Sequence, residues 1–364
     1  MMSFRERIIA TFEGRPVDKV VWQPRIEKWY EVNSKLGTIP EKYRGMSYLR
    51  LCEELGISPR RYRFQETIRK IEGEDVEIKM LEDERNIYIK YLTPHGKLTE
   101  TRRKTVSGTS YYITEHPVKS KEDVKVMKYI LDQERFMFDH SLFKRLDSEV
   151  GDRTLPQIIL PHTPLLRVIL DLMGFERTVK MLWRERAVVE ELIGAVEEND
   201  AKLESVVKES PFKLVNFGDN IHHDLCPPPF FERYVLPNYK RRTREMHAKG
   251  KFCISHWDGY IKDLLPYIKE TGLNGLECVT PKPQGDVTLE EIKEAMDDLV
   301  LMDGIPAILF LPWSSEEELR SFARRVIEML SPRLILGIGD LLPPNGDIEK
   351  IRVVGEVVEE YANT

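Results

Sequence analysis

The chain has 364 residues, of which 41% are hydrophobic and 32% charged, with a formal net charge of −6. This is the composition of a folded globular protein rather than a disordered one, and the acidic balance argues against a nucleic-acid partner held by charge. Four scattered cysteines (Cys52, Cys226, Cys253, Cys278) form no CxxC pair and imply no disulfide framework. The N-terminal stretch is charged and amphipathic, and no run approaches the ~18 apolar residues of a membrane span, so a soluble, cytoplasmic protein with no membrane partner is expected.

Ser3–Phe12 carries apolar residues at helical spacing and stops at Gly14-Arg15-Pro16, which predicts an N-terminal helix before a short strand at Val20–Trp22. From Val76 to His116 the pattern changes to short β-prone runs separated by turn signals at Pro94-His95-Gly96 and Ser107-Gly108. These predict antiparallel hairpins, an insert of about 63–118. Helical character resumes at Lys119–Met127.

Beyond Thr154 apolar runs alternate with amphipathic helices, as in βα units with a parallel sheet. Strands are expected at Gln157–Leu160, Leu214–Phe217, Phe252–Ser255, Leu273–Leu276, Leu299–Met302 and Leu334–Gly337. Thr288 with Glu291, and Ser315 with Glu318, open helices through Met296 and Leu330. The fold predicted is a single α/β domain over 1–364, a (β/α)8 TIM barrel with an N-terminal helical segment and an inserted β-hairpin region.

Polar residues just past parallel barrel strands converge on one mouth. Here those positions hold Asp219-Asn220 with His222 and His223, then His256-Trp257-Asp258, Glu277-Cys278, Asp303-Gly304 and Asp340. Nitrogen, oxygen and sulfur donors at neighbouring strand ends suit a catalytic zinc site, which takes about four ligands and keeps one position open. His256 and Glu277 are the expected ligands, with Asp340 or Cys278 as the third and Asp258 either binding the metal or orienting His256. Strand alternation is expected to turn Glu277 inward and Cys278 toward the helices. A lone histidine after a strand is commonly a cap or a core residue. The carboxylates at the next strand ends are what favour a ligand role. Asp219 is a candidate catalytic group, and Trp22, Arg25, Asn220, His222 and Trp257 are candidate substrate contacts.

The opening RERIIATFEGRPVDKVVWQP, the stretch NFGDN…CPPPFFERYVLPNYKRR…HAKGKFCISHWDG, and the segments ETGLNGLECVTP and LILGIGDLLPP resemble the uroporphyrinogen decarboxylase-like superfamily. The resemblance covers most of the chain and is weak over Val76–His116. It implies either metal-free decarboxylation of porphyrinogens or zinc-dependent methyl transfer involving corrinoids. The arginine-rich segment with which true decarboxylases hold a polyanion is reduced here to Arg25 among acidic neighbours (Pro24-Arg25-Ile26-Glu27-Lys28-Trp29-Tyr30-Glu31), which disfavours the first. Thiol-methylating relatives carry H-x-C and a later Cys, where this chain resembles them with His256-Trp257-Asp258 and Asp340.

Replacing thiolates by carboxylates implies a harder Lewis acid, suited to a leaving oxygen. The function so implied is a methyltransferase passing a methyl group from a small donor, an aryl methyl ether if Trp22, Trp29 and Trp257 line the pocket, to the cob(I)alamin of a separate corrinoid protein. The chain lacks the D-x-H-x-x-G pattern of a corrinoid module, so that cofactor is expected on a partner. A homodimer is the default assembly. The alternatives are a metal-free decarboxylase and a non-catalytic binding barrel.

Overall fold

A computed structural model describes residues 2–105, 108 and 110–362. Contacts divide the chain into two compact units, one of residues 1–65, 141–160 and 212–364, the other of residues 66–140 and 161–211.

The first unit is built on one sheet. Its strands are β1 (Val21–Trp22), β2 (Gln157–Leu160), β3 (Leu214–Ile221), β4 (Phe252–Trp257), β5 (Gly275–Glu277), β6 (Val300–Pro306) and β7 (Leu334–Gly339), all parallel, in the order β1-β7-β6-β5-β4-β3-β2. Each expected strand is present, and β3, β4, β6 and β7 run two to four residues past their expected ends.

Among the described residues this parallel sheet has seven regular strands, not eight. The segment after Gly56 takes up the place beside β1, where Ser58 N–H donates to the Trp22 carbonyl at 2.9 Å. Pro59 follows and has no N–H to continue a ladder. Further along, the Gln65 amide, oriented to donate to the Ile159 carbonyl (3.0 Å) and accept from its N–H (2.8 Å), stands in for a strand neighbour of β2. Arg60 lies between these two anchors.

Alternation along the strands sets what faces the barrel interior. Val21, Leu214, Ile254, Val300, Met302 and Ile335 form one cluster with Ile8 and Phe12 of the N-terminal helix Phe4–Glu13. That helix begins with a capping box, Ser3 with Glu6, and ends at left-handed Gly14. Residues in phase with this cluster point inward. Their neighbours Trp22, Phe217, Ser255 and Trp257 point to the helices outside.

In the second unit, the strands Glu77–Glu82, Asn86–Thr93, Gly96–Lys104 and Tyr111–Glu115 form an antiparallel sheet in that order, as the hairpin pattern predicts. The expected turn at Ser107-Gly108 includes Ser107, which lies outside the described residues. Ile68–Ile71 pairs antiparallel with Arg135–Phe138. Helix Lys121–Gln133 opens on a capping box of Ser120 and Asp123. Buried Glu134 is bonded by Asn199 and Lys70 at 2.9 Å each. No helix among the described residues is long and apolar enough to cross a membrane.

Candidate metal centre

His256 lies near the end of β4, two residues beyond inward-facing Ile254, and so enters the barrel. One donor atom each of His256, Cys278 and Asp340 converge to within 4.8 Å of one another, and no other such trio occurs among the described residues. His256 and Cys278 are buried and Asp340 is partly exposed. Glu277 Oε1 lies 2.9 Å from His256 Nδ1. In the tautomer that donates from Nδ1 to this carboxylate, Nε2 keeps its lone pair. Asp258 Oδ2 is 4.0 Å from that Nε2.

Alternation fails at the strand end. Cys278 has φ +71°, so both Glu277 and Cys278 turn into the barrel, where the sequence pattern sends Cys278 outward. Asp303 (φ +84°) and Asp340 (φ +74°) do the same after Met302 and Gly339. Left-handed backbone at non-glycine residues costs roughly 1–3 kcal/mol each and clusters where function requires it. Cys278 is therefore one of the three converging donors, while Glu277, also an expected ligand, lies against His256 Nδ1. The set is nitrogen, sulfur and oxygen, less hard than carboxylates alone would make it.

Two arginines, Arg60 buried and Arg25 partly buried, neutralise these groups. Arg60 Nη1 donates to Glu277 Oε2 (2.9 Å) and Nη2 to Asp303 Oδ1 (2.7 Å). Arg25 Nε donates to the Tyr62 hydroxyl (2.8 Å), while its Nη1 lies 3.4 Å from Asp340 Oδ1 and 3.4 Å from His256 Nδ1. Burial alone would raise Glu277, but Arg60, Arg25 and His256 outweigh it and hold the carboxyl well below the usual range. For Asp303 burial prevails over Arg60 and raises it to about 6. Burial pushes the Cys278 thiol up; Arg25 opposes this, and the nearby carboxylates add to it. A thiol so placed ionises when a cation arrives.

The sequence model of uroporphyrinogen decarboxylase (URO-D) matches residues 104–361, well over half of the chain. The chain belongs to the uroporphyrinogen decarboxylase family. A search of curated proteins gives no match. Among solved structures, a methyltransferase from Methanosarcina mazei superposes over 99% of both chains with a TM-score of 0.64 at 15% identity, which establishes a shared fold. A 3-dehydroquinate dehydratase from Geobacillus kaustophilus covers 57% of this chain and 92% of its own, at 13% identity and a TM-score of 0.28, too low to bear on function.

Other expected site residues of this uroporphyrinogen decarboxylase family member lie elsewhere. Asp219 is out of phase with Leu214 and faces the helices, where the buried Tyr239 hydroxyl donates to its Oδ2 at 2.7 Å and lies 2.7 Å from Ser255 Oγ. Trp22 is buried outside the sheet, its indole donating to the Ile351 carbonyl (3.1 Å). Trp257 packs edge-on against Phe231, and Trp29 donates to the Gly346 carbonyl (3.0 Å). No aromatic wall is formed by these three. Asn220 is exposed, and half-buried His222 lies in the loop after β3, 3.9 Å from Asp224. Arg60, Tyr62 and Asn216 escape the sequence argument. Asn216, two residues past core Leu214, is fully buried with no partner for its amide atoms among the described residues.

Proposed function

We propose that this protein is a zinc-dependent methyltransferase that moves a methyl group from a small donor to the cob(I)alamin of a separate corrinoid protein. The observation that carries the proposal is the convergence of His256, Cys278 and Asp340 within 4.8 Å. Three donors of mixed nitrogen, sulfur and oxygen type at a barrel mouth fit a catalytic zinc site with room for a fourth ligand. Bound there, zinc supplies Lewis acidity toward the heteroatom that gives up its methyl group.

The protein's own groups prepare that site. Glu277 fixes the His256 ring with Nε2 free. Arg60 and Arg25 compensate the carboxylates, and partly exposed Asp340 sets the donor trio at the solvent side of the mouth. The shared fold with the Methanosarcina mazei methyltransferase supports the same reading. Charged and polar groups line this mouth in place of tryptophans. The donor class is thus open to methanol and methylamines as well as aryl methyl ethers.

The test is to mix the zinc-loaded chain with free cob(I)alamin and each donor class, following the cob(I)alamin absorbance as methylcobalamin forms. Zinc-dependent transfer from one class is expected. No transfer from any, combined with carbon dioxide release from a porphyrinogen by the metal-free chain, would replace the proposal with the decarboxylase reading.

A further inference from the structure

Resting on the proposed metal centre, we infer that Arg60 and Asp303 are positioning residues that select the metal-binding tautomer of His256. Two groups compete for His256 Nδ1. Glu277 Oε1, at 2.9 Å, accepts a hydrogen bond and requires a proton on Nδ1. Arg25 Nη1, at 3.4 Å, carries only N–H groups and requires a lone pair there. The outcome decides the other nitrogen. With Nδ1 protonated, Nε2 is free to bind a metal; with Arg25 as the partner, Nε2 carries the proton and is blocked.

Arg60 decides the competition because it holds the far oxygen of the same carboxylate. Its Nη1 donates to Glu277 Oε2 at 2.9 Å, which keeps Oε1 on the histidine. Arg60 is in turn held by Asp303 Oδ1 at 2.7 Å and by Gln23 Oε1, 3.3 Å from its Nε. The side chains of Arg60, Glu277 and Asp303 are 2%, 4% and 0% exposed, so water offers no substitute partner. The chain of contacts draws on three places in the fold. Arg60 comes from the irregular segment beside β1, Glu277 from the end of β5, and Asp303 from a left-handed residue in β6. Gly337 in β7 leaves the room that the Asp303 carboxylate occupies, since a Cβ there would lie 2.3 Å from its Oδ1.

The experiment uses the full chain labelled with nitrogen-15 in histidine. In the metal-free wild type, the His256 ring should show Nδ1 protonated. Arg60→Met and Asp303→Asn should move the population toward Nε2 protonation and lower zinc affinity, read by competition with a chelator, about 10- to 100-fold. Arg60→Lys, which restores one donor and the charge, should recover part of both. Asp303→Asn is nearly isosteric and serves where Arg60→Met fails to fold.

A folded Asp303→Asn or Arg60→Met chain with the wild-type tautomer and zinc affinity within about twofold of wild type overturns the inference. A tautomer change in chains that bind no zinc, wild type included, upholds the positioning role and overturns the metal centre instead.

Discussion

Replacing Gly337 by alanine puts a methyl group 2.3 Å from Asp303 Oδ1 and 3.1 Å from both the Asp303 Cα and the Gln23 carbonyl oxygen. Two routes relieve the clash. If the strands shift apart, the cost is that of overpacking a close-packed interior, about 1–3 kcal/mol. If Asp303 swings away, Arg60 loses its 2.7 Å partner inside the barrel, and breaking a buried pair costs about 3–5 kcal/mol. The cheaper route sets the result, so Gly337→Ala should destabilise by about 2 kcal/mol.

Gly355 is the control. It lies inside helix Glu349–Ala362, where an added Cβ meets only ordinary contacts at 3.8–4.0 Å. Gly355→Ala should stabilise by about 0.5–1 kcal/mol through helix propensity and a less free unfolded chain. Urea denaturation of the three proteins gives both signs. A Gly337→Ala midpoint at or above wild type, or an equal loss for Gly355→Ala, would refute the account of the crowded interior.

Tyr239→Phe should cost about 1–3 kcal/mol, because buried Asp219 and Ser255 lose their shared hydroxyl partner. It should leave zinc content unchanged, which elemental analysis checks. Asp18, paired with Arg7 at 2.6 Å, is lowered to about 2 by its hydrogen bond with that arginine. Its contribution is complete above the unfolded value of ~3.9 and disappears as pH falls toward 2. With the carboxylate about a third exposed, the effect should stay below ~1 kcal/mol. Asp18→Asn should therefore be less stable than wild type at pH 7 and equal to it near pH 2, by urea titration at each pH. Trp257→Phe should lower stability without altering the zinc-site tautomer of His256, since the indole faces Phe231 and not the mouth.

Much of the barrel is legible in the sequence because burial on both sides of parallel strands writes continuous apolar runs. The phase of those runs was countable too, although Asp219, Trp22 and Trp257 were expected at the mouth. Counting from Ile254 and Leu214 sends Ser255 and Asp219 outward together, and from Val21 sends Trp22 outward, so the helix-facing positions follow from alternation alone. What alternation cannot give is its own failure. Cys278, Asp303 and Asp340 enter the mouth because their backbones turn left-handed, and nothing in the types Cys or Asp at a strand end announces that. Arg60 was hidden for another reason. It lies in Ser58-Pro59-Arg60, where the eighth strand is replaced by a segment with one ladder bond to Trp22, so no periodicity marks the position. Its partners, Glu277 and Asp303, are more than two hundred residues away in sequence.

Binding of a metal by His256, Cys278 and Asp340 is read out by the zinc content of the purified chain. Elemental mass spectrometry should find about one zinc per chain in the native protein, and none in His256→Ala or Cys278→Ala chains that remain folded. A native chain that holds no zinc after zinc is offered, or variants that keep it, would contradict the account.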